Sequence, residues 1–275
     1  MALADLVQPE KFKVKQDLPH LTTEFKNQNQ LWITLNNPEK MNAISYEMID
    51  SLTKVLFEAE MNQQVKVIVI RGEGKAFSAG GDMLAMQEKS GMFQGDANEL
   101  RMRYMQGIQK IPKCMEDLSK PIIAMVNGVA VGAGCDLAMM CDLRIGCEES
   151  RFGETFAKLG LVPGDGGSYF LTRVVGFSKA MQMTMTTEII GGEKAFNFGL
   201  MNFFVPTTDL ESESTKLAQK IAALPHVAVQ MAKKSLKAAY SSSLQVNLDL
   251  LAAFQGIAQR TADHDKAVNA FFEKK

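Results

Sequence analysis

Histidine, cysteine and long apolar runs are scarce in this 275-residue chain. Its four cysteines, Cys114, Cys135, Cys141 and Cys147, show no CxxC spacing, and there are only three histidines. Free, mostly buried thiols in a cytoplasmic protein are the economical reading. No run reaches the roughly 18–20 apolar residues that a membrane helix requires, which argues against a membrane partner. The first 17 residues, MALADLVQPEKFKVKQD, lack an apolar core of signal length and carry charges of both signs. They read as a flexible lead-in rather than a targeting segment. An excess of one charge is also missing. Lysine and arginine total 30 against 31 aspartates and glutamates, a net charge of −1. The basic footprint of a nucleic-acid binder is therefore absent at the global level. No repeat of fixed period and no low-complexity segment is evident.

What is present is a chain that is 46% hydrophobic, enough for one large domain or a domain plus an appendage. Residues 22–35 read as two strands with a turn near 27–29. Ser45 is placed to N-cap an amphipathic helix that runs to about Met61. VKVIVI at 65–70 and PIIAMV at 121–126 are near-continuous apolar runs, the mark of strands buried on both faces. One helix is expected over 97–117, with Leu100, Met105, Ile108 and Ile111 near helical spacing, and another over 132–140. Further strands are expected at 141–147 and 201–205. Beyond Thr208 the pattern is helical. Alternating strands and helices predict an α/β core with largely parallel strands over residues 1–205. A helical region over 206–275 follows, which either packs on its own core or supplies a subunit interface.

Residues 121–142 carry the strongest signal: an apolar strand, a glycine-rich turn, and a helix with Asp136 in its first turn. Such a junction offers backbone N–H groups and a helix dipole to a phosphate or to an oxyanion. Gly128, Gly132 and Gly134 are not in GxGxxG order, and no acidic residue closes a second strand in the required context. Gly72 to Lys75 lacks the GxxxxGK[ST] frame. The phosphate reading is therefore weak. A second glycine-rich loop, 78–82, also follows a buried strand. One N–H from each loop could hold a thioester oxygen and stabilise the enolate formed on loss of an α-proton, each donor being worth about 3 kcal/mol. Helical side chains lean toward the N-terminus, so the Asp136 carboxylate would hang near the same opening, able to act on a proton. The alternative for Asp136 is an ordinary first-turn acid favoured by the dipole.

Four segments, GKAFSAGGDM, KPIIAMVNGVAVGAGCDLAMMCDLRI, FGETFAKLGLVPGDGGSYFLTRVVG and AFNFGLMNFFV, resemble in order and spacing the enoyl-CoA hydratase/isomerase (crotonase) family. The resemblance covers about residues 22–272. It implies a spiral of ββα units, a C-terminal helical trimerisation region, and a homotrimer or dimer of trimers. It also implies an acyl-CoA thioester as substrate, with coenzyme A entering only as part of it, and no metal or redox cofactor. The activity implied is that of an enoyl-CoA hydratase or Δ-isomerase. The alternatives are an acyl-CoA hydrolase or other enolate chemistry, a non-catalytic CoA-ester binder, and an RNA-associated relative; near-zero net charge argues against the last. Carried over by position, the oxyanion-hole amides fall on Gly81 and Ala133. Ser78, Ala79, Gly80, Asp82 and Met83 fall in the loop that cradles CoA, and Lys40 and Ala43 on a CoA-contacting strip. The terminal FFEKK matches a tail that reaches CoA. Plain solvated charges are the competing reading of Lys40 and the tail lysines.

The chain departs from the hydratase pattern, in which two glutamates hold and activate a water. The first falls on Asp136, a shorter carboxylate, and the second on Phe156, which cannot move a proton. Phe156 then reads as an apolar wall of the acyl pocket. Asp165 sits one position after the place where some isomerases and a dehalogenase of the family carry their working acid; it is a candidate acid, or else the cap of a helix beginning near Gly166. Glu154, two residues before Phe156, shares its face if the segment is extended, with a surface or salt-bridge role as the alternative. His20, His226 and His264 lie outside every matched motif and read as structural or surface residues. The 18 methionines read as adaptable core filling, or in part as a lining for a flexible acyl chain.

Overall fold

Strand residues that alternate between two covered faces leave no polar face in the sequence, and this is how the apolar runs are used. The computed structural model describes residues 15–273. Residues 1–14 of the lead-in and the last two lysines of the FFEKK tail lie outside the described residues, whereas 15–17, expected to be flexible, pair with residues 22–24 in the sheet. In chain order the strands are β1 (Lys15–Leu18), β2 (Leu21–Lys26), β3 (Gln30–Leu35), β4 (Val67–Gly72), β5 (Ala76–Ser78) and β6 (Ile122–Val126). They continue with β7 (Val129–Val131), β8 (Leu143–Gly146), β9 (Arg151–Gly153), β10 (Ile190–Gly191) and β11 (Phe203–Phe204). A seven-stranded sheet has the order β1-β2-β3-β4-β6-β8-β11, and a four-stranded sheet the order β10-β9-β7-β5. The first three strands form an antiparallel meander; β3, β4, β6, β8 and β11 are parallel.

Three times the chain runs through the large sheet, crosses into the small one and closes with helix. β4 leads to β5, β6 to β7 and the helix Ala133–Met140, and β8 to β9 and the helix Gly167–Val175. This is the expected spiral of ββα units. On β4, Ile68 and Ile70 face the main core while Val67 and Val69 face a second one, and Ile123 and Met125 of β6 join them there. The helix Leu210–Ala222 covers that second face with Leu210, Ala218 and Ala222. The helices after the last strand therefore do not share one core of their own. Farther along, Lys233 of the helix His226–Ala239 reaches back to Asp142 Oδ2 at 2.7 Å.

Local differences from expectation have local causes. The helix expected over 97–117 is two, Ala97–Gln106 and Lys110–Asp117, because Gly107 takes an unusual conformation (φ −105, ψ −110) and ends the first. The short strand β7 hides within the glycine-rich turn, since its pairing with β5 and β9 is tertiary. Ser45 does cap the helix Tyr46–Met61, accepting from Met48 N at 3.2 Å, and His20 Nδ1 lies 2.7 Å from the same hydroxyl. Among the described residues no helix is long and apolar enough to cross a membrane.

Candidate active site

β5, β7 and β9 run parallel, so their carboxyl ends open on one side, where ligands of such sheets bind. Each end delivers part of the site. After β5, Gly80 adopts φ +84; a Cβ there would lie 2.6 Å from Val131 O and 3.1 Å from Ala133 N. Only glycine lets the two loops approach this closely. Ser78 is turned inward, its hydroxyl donating to Asn42 O at 2.8 Å. Ile44 N donates to Gly80 O at 2.7 Å in a bridge that pairs Ile44 with Gly81. Gly80 supplies the acceptor, so the Gly81 N–H takes no part in that bond. After β7, Gly132 (φ +53) precedes the helix Ala133–Met140. Ala133 is the first helical residue, and its N–H has no acceptor within the helix.

β9 ends at Gly153, whose carbonyl accepts from Gly132 N at 2.9 Å. Glu154 follows at once. The chain then turns at Thr155 (φ −93, ψ 3) into a single 3-10 turn, Phe156–Leu159. The segment is not extended, so Glu154 and Phe156 part company. Phe156 joins the cavity wall, while Glu154 is buried. Asp165 is not a cap: the helix Gly167–Val175 starts from Gly166 with no side-chain cap. Gln109 Nε2 donates to Gly164 O at 2.8 Å and steadies the loop that carries Asp165.

These turns bring three carboxyls together. Asp136, Glu154 and Asp165 are 0%, 1% and 3% exposed. Among the described residues no N–H or O–H reaches either oxygen of Asp136, either oxygen of Glu154, or Asp165 Oδ1. Asp165 and Glu154 both act on the Asp136 carboxyl and favour its protonated form. Neighbouring buried carboxyls do not all stay ionised, because desolvation and like charge both favour the protonated form. Burial pushes all three above the usual carboxylate range, and the neighbouring acids push Asp136 farthest. The Asp136 carboxyl acts oppositely on Glu154 and Asp165, favouring their charged forms. The proton thus belongs foremost to Asp136, because three buried like charges without a cation would each cost several kcal/mol. The site for that carboxyl exists because residue 167 is glycine: a Cβ there would lie 2.2 Å from Asp136 Oδ1.

A cavity with about 590 Å³ of empty space opens beside this cluster. Of the residues singled out in the sequence, Ala79, Gly81, Met83, Ala133, Phe156 and Asp165 line it. Lys40, Ala43, Ser78, Gly80, Asp82 and Asp136 do not. Asp136 stands behind Asp165. Lys40 Nζ is 2.6 Å from Asp82 Oδ2, a contact that raises the Lys40 pKa and lowers that of Asp82. Asp82 also caps the helix Met83–Gln87 through Leu84 N and Ala85 N. Ala43 is buried beneath the loop. Met83, Met86 and Met92 line the cavity, whereas Met48, Met115 and Met139 are among those in the core. The histidines do not line it. Among the described residues no group of three His, Cys, Asp or Glu is arranged to hold a metal ion.

The model of the enoyl-CoA hydratase/isomerase family matches residues 26–275. The chain belongs to the enoyl-CoA hydratase/isomerase family. A probable mitochondrial enoyl-CoA hydratase of Dictyostelium discoideum is 36% identical over 267 residues, 97% of this chain and 92% of that protein. The 1,2-epoxyphenylacetyl-CoA isomerase of Escherichia coli K12 is 31% identical over 243 residues, 88% of this chain and 92% of that one. The crystal structure of an enoyl-CoA hydratase from Bacillus anthracis superposes with a TM-score of 0.86 at 28% identity, covering 93% of this chain and 97% of that chain.

Within this enoyl-CoA hydratase/isomerase fold, Tyr104 and Gly167 are among the site residues that escaped the sequence reading. Tyr104 lines the cavity, and its ring packs where a Gly164 Cβ would be, 2.8 Å away. Burial, then the charge of Asp165, raises its pKa. Its spacing of four from Ile108, another lining residue, was the available signal. Gly167 was legible only as one half of a double glycine.

Proposed function

We propose that the protein is an acyl-CoA enzyme that forms an enolate from a CoA thioester and shifts a carbon–carbon double bond, as an enoyl-CoA Δ-isomerase does. The observation that carries this reading is the convergence of the Gly81 and Ala133 amides with the Asp165 carboxyl on one methionine-lined cavity. The two N–H groups donate to the thioester oxygen. Asp165, ionised, takes a proton from carbon 2. The C–H electron pair becomes the enolate double bond as the carbonyl pair moves onto the held oxygen. In a 3-enoyl thioester this anion is a dienolate. Return of the proton from Asp165 to carbon 4 yields the 2-enoyl isomer, with nothing consumed. Asp136, beside it, favours the charged form of Asp165. Phe156 supplies an apolar wall where a water-activating acid would stand. Hydration of a 2-enoyl thioester is the second reading, favoured by the hydratase named among the relatives.

The test is an assay of short and medium 2-enoyl- and 3-enoyl-CoA with the wild type, Asp136→Asn and Asp165→Asn. Asp165→Asn is expected to lose about 10²–10⁴ in rate. Full activity in both variants would sink the assignment, and 3-hydroxyacyl product from the wild type would install the second reading. No metal or redox cofactor enters this chemistry, so dialysis against a chelator is expected to leave turnover unchanged. We also propose a homotrimer or dimer of trimers. Leu244, Val246, Leu248 and Ile257 on the helix Leu244–Ala258 are 74%, 59%, 48% and 53% exposed, and an apolar face of this kind supports self-association. Sedimentation equilibrium reads the mass. A cytoplasmic location is supported by four free thiols, and cell fractionation tests it.

A further inference from the structure

We infer that Gln109 is a positioning residue for the pocket base: its side-chain amide, at the break between two helices, holds the backbone of the loop that carries Asp165. The inference rests on the reading of Asp165 as that base. Gln109 Nε2 donates to Gly164 O at 2.8 Å, one peptide ahead of Asp165. Gln109 does not line the cavity, so it acts through the loop and not on substrate.

The loop needs such a hold. Its sequence is Pro163, Gly164, Asp165, Gly166, with a glycine on each side of the acid, and glycine restricts the backbone least. Val162 is 76% exposed, so it brings little burial to the loop. Leu161 N donates to Phe156 O at 3.0 Å before this stretch, and Gly166 O accepts from Tyr169 N at 2.9 Å after it. Between them, among the described residues, the bond from Gln109 is the one hydrogen bond that ties the backbone of 162–165 to another element.

The seat of the loop is the same short stretch of chain. A Gly164 Cβ would lie 2.8 Å from Tyr104 Cε1, and a Gly166 Cβ would lie 3.4 Å from Pro112 Cβ. Residues 104–112 therefore bracket Asp165 on both sides. Gly107 ends one helix, and Gln109 stands immediately before the next, at φ −69 and ψ −5. Short polar side chains at that place cap the free N–H groups of the helix. Gln109 makes no such cap; its longer amide goes to the loop. Its own backbone is fixed, with Gln109 N donating to Tyr104 O at 3.1 Å. A bond one peptide from the base sets where its carboxyl stands, and a displacement near 1 Å costs on the order of 10²-fold in rate.

The test is Gln109→Met, of similar length but without an N–H, assayed for kcat and KM on 3-enoyl-CoA. The expected result is a fall in kcat of about 10–10²-fold with KM little changed, because the contacts to substrate stay in place. In the Asp165→Asn background the same substitution should cost nothing further, since it acts only through that carboxyl. Gln109→Ala predicts the same pattern and serves if the methionine variant fails to fold. Wild-type kcat in a folded variant overturns the inference, as does an equal loss in the Asp165→Asn background; a slow Asp165→Asn enzyme leaves the base assignment standing in both cases. Full activity of Asp165→Asn overturns the base assignment instead. Nitrogen-15 relaxation of the Gly164 and Asp165 amides then decides whether Gln109 holds the loop. Order parameters near about 0.85 in the wild type should drop toward about 0.6 in Gln109→Met, and unchanged values overturn the inference.

Discussion

Replacing Gly167 by alanine tests whether the position of the Asp136 carboxyl matters to the chemistry. The added Cβ would lie 2.2 Å from Oδ1, 2.4 Å from Oδ2 and 2.5 Å from Cγ of Asp136. Real Cβ contacts essentially never fall under 3.0 Å, so the carboxyl must retreat by about 0.8 Å, the difference between 3.0 and 2.2. A displacement near 1 Å of a group that orients the reacting one costs on the order of 10²-fold, or about 2.7 kcal/mol of barrier. Stability responds less. Overpacking costs about 1–3 kcal/mol, and replacing a helical glycine returns up to about 1 kcal/mol. The net loss of about 1 kcal/mol corresponds to a Tm change of about 2–4 °C. The assay is kcat/KM for 3-enoyl-CoA isomerisation beside a thermal melt. Asp136→Ala, which removes the obstructed carboxyl, is the control background: there Gly167→Ala should add no further loss in kcat/KM. A Gly167→Ala enzyme with wild-type kcat/KM would refute the argument, as would the same hundredfold loss in the Asp136→Ala background.

Ala133→Pro isolates the oxyanion donor. Proline is tolerated at the first position of a helix, which is where Ala133 stands, yet it removes the N–H. The expected result is a 10²–10³-fold loss in kcat with a melt close to wild type; retained kcat would remove Ala133 from the oxyanion site. Asp136→Asn tests the retained proton through stability. A carboxyl whose folded pKa lies above its unfolded value keeps its proton where the unfolded chain has lost it, so it destabilises progressively as pH rises from the ordinary carboxylate range through its raised pKa. The raised pKa of Asp136 predicts that the Asp136→Asn variant is more stable than wild type at about pH 7.5, by about 2–4 °C for each kcal/mol, with the difference shrinking toward about pH 4. A difference that grows on acidification would reverse the sign and exclude a protonated Asp136.

Much of the fold was legible because its causes are local. VKVIVI and PIIAMV announce strands covered on two faces. Ser45 announces a helix start. Gly80 and Gly132 stand where the backbone needs a left-handed turn, and no other residue adopts it without strain. The likeness to the enoyl-CoA hydratase/isomerase family rested in part on the segments that hold PIIAMV, Gly80 and Gly132. What misled the reading was also local in form. Apolar spacing across 97–117 suggested one helix and gave no sign that Gly107 would divide it. Glu154 was placed beside Phe156 only on the condition of an extended segment, and the turn at Thr155 separates the two side chains.

The site divides along the same line. Residue type and order by themselves determined that two glycine loops follow buried strands, that Asp136 opens a helix, and that Phe156 cannot move a proton. Only the tertiary structure decided which acids meet. Asp136 comes from the second turn of the spiral, Glu154 and Asp165 from the two ends of the loop in the third. Whether each is a solvated carboxylate or a protonated acid depends on burial and on the absence of a donor among the described residues. Those are properties of the packed site and not of any one stretch of chain, because desolvation and like-charge repulsion act through space. The same packing put Asp165 on the cavity wall and Asp136 behind it, an order that sequence spacing alone does not contain.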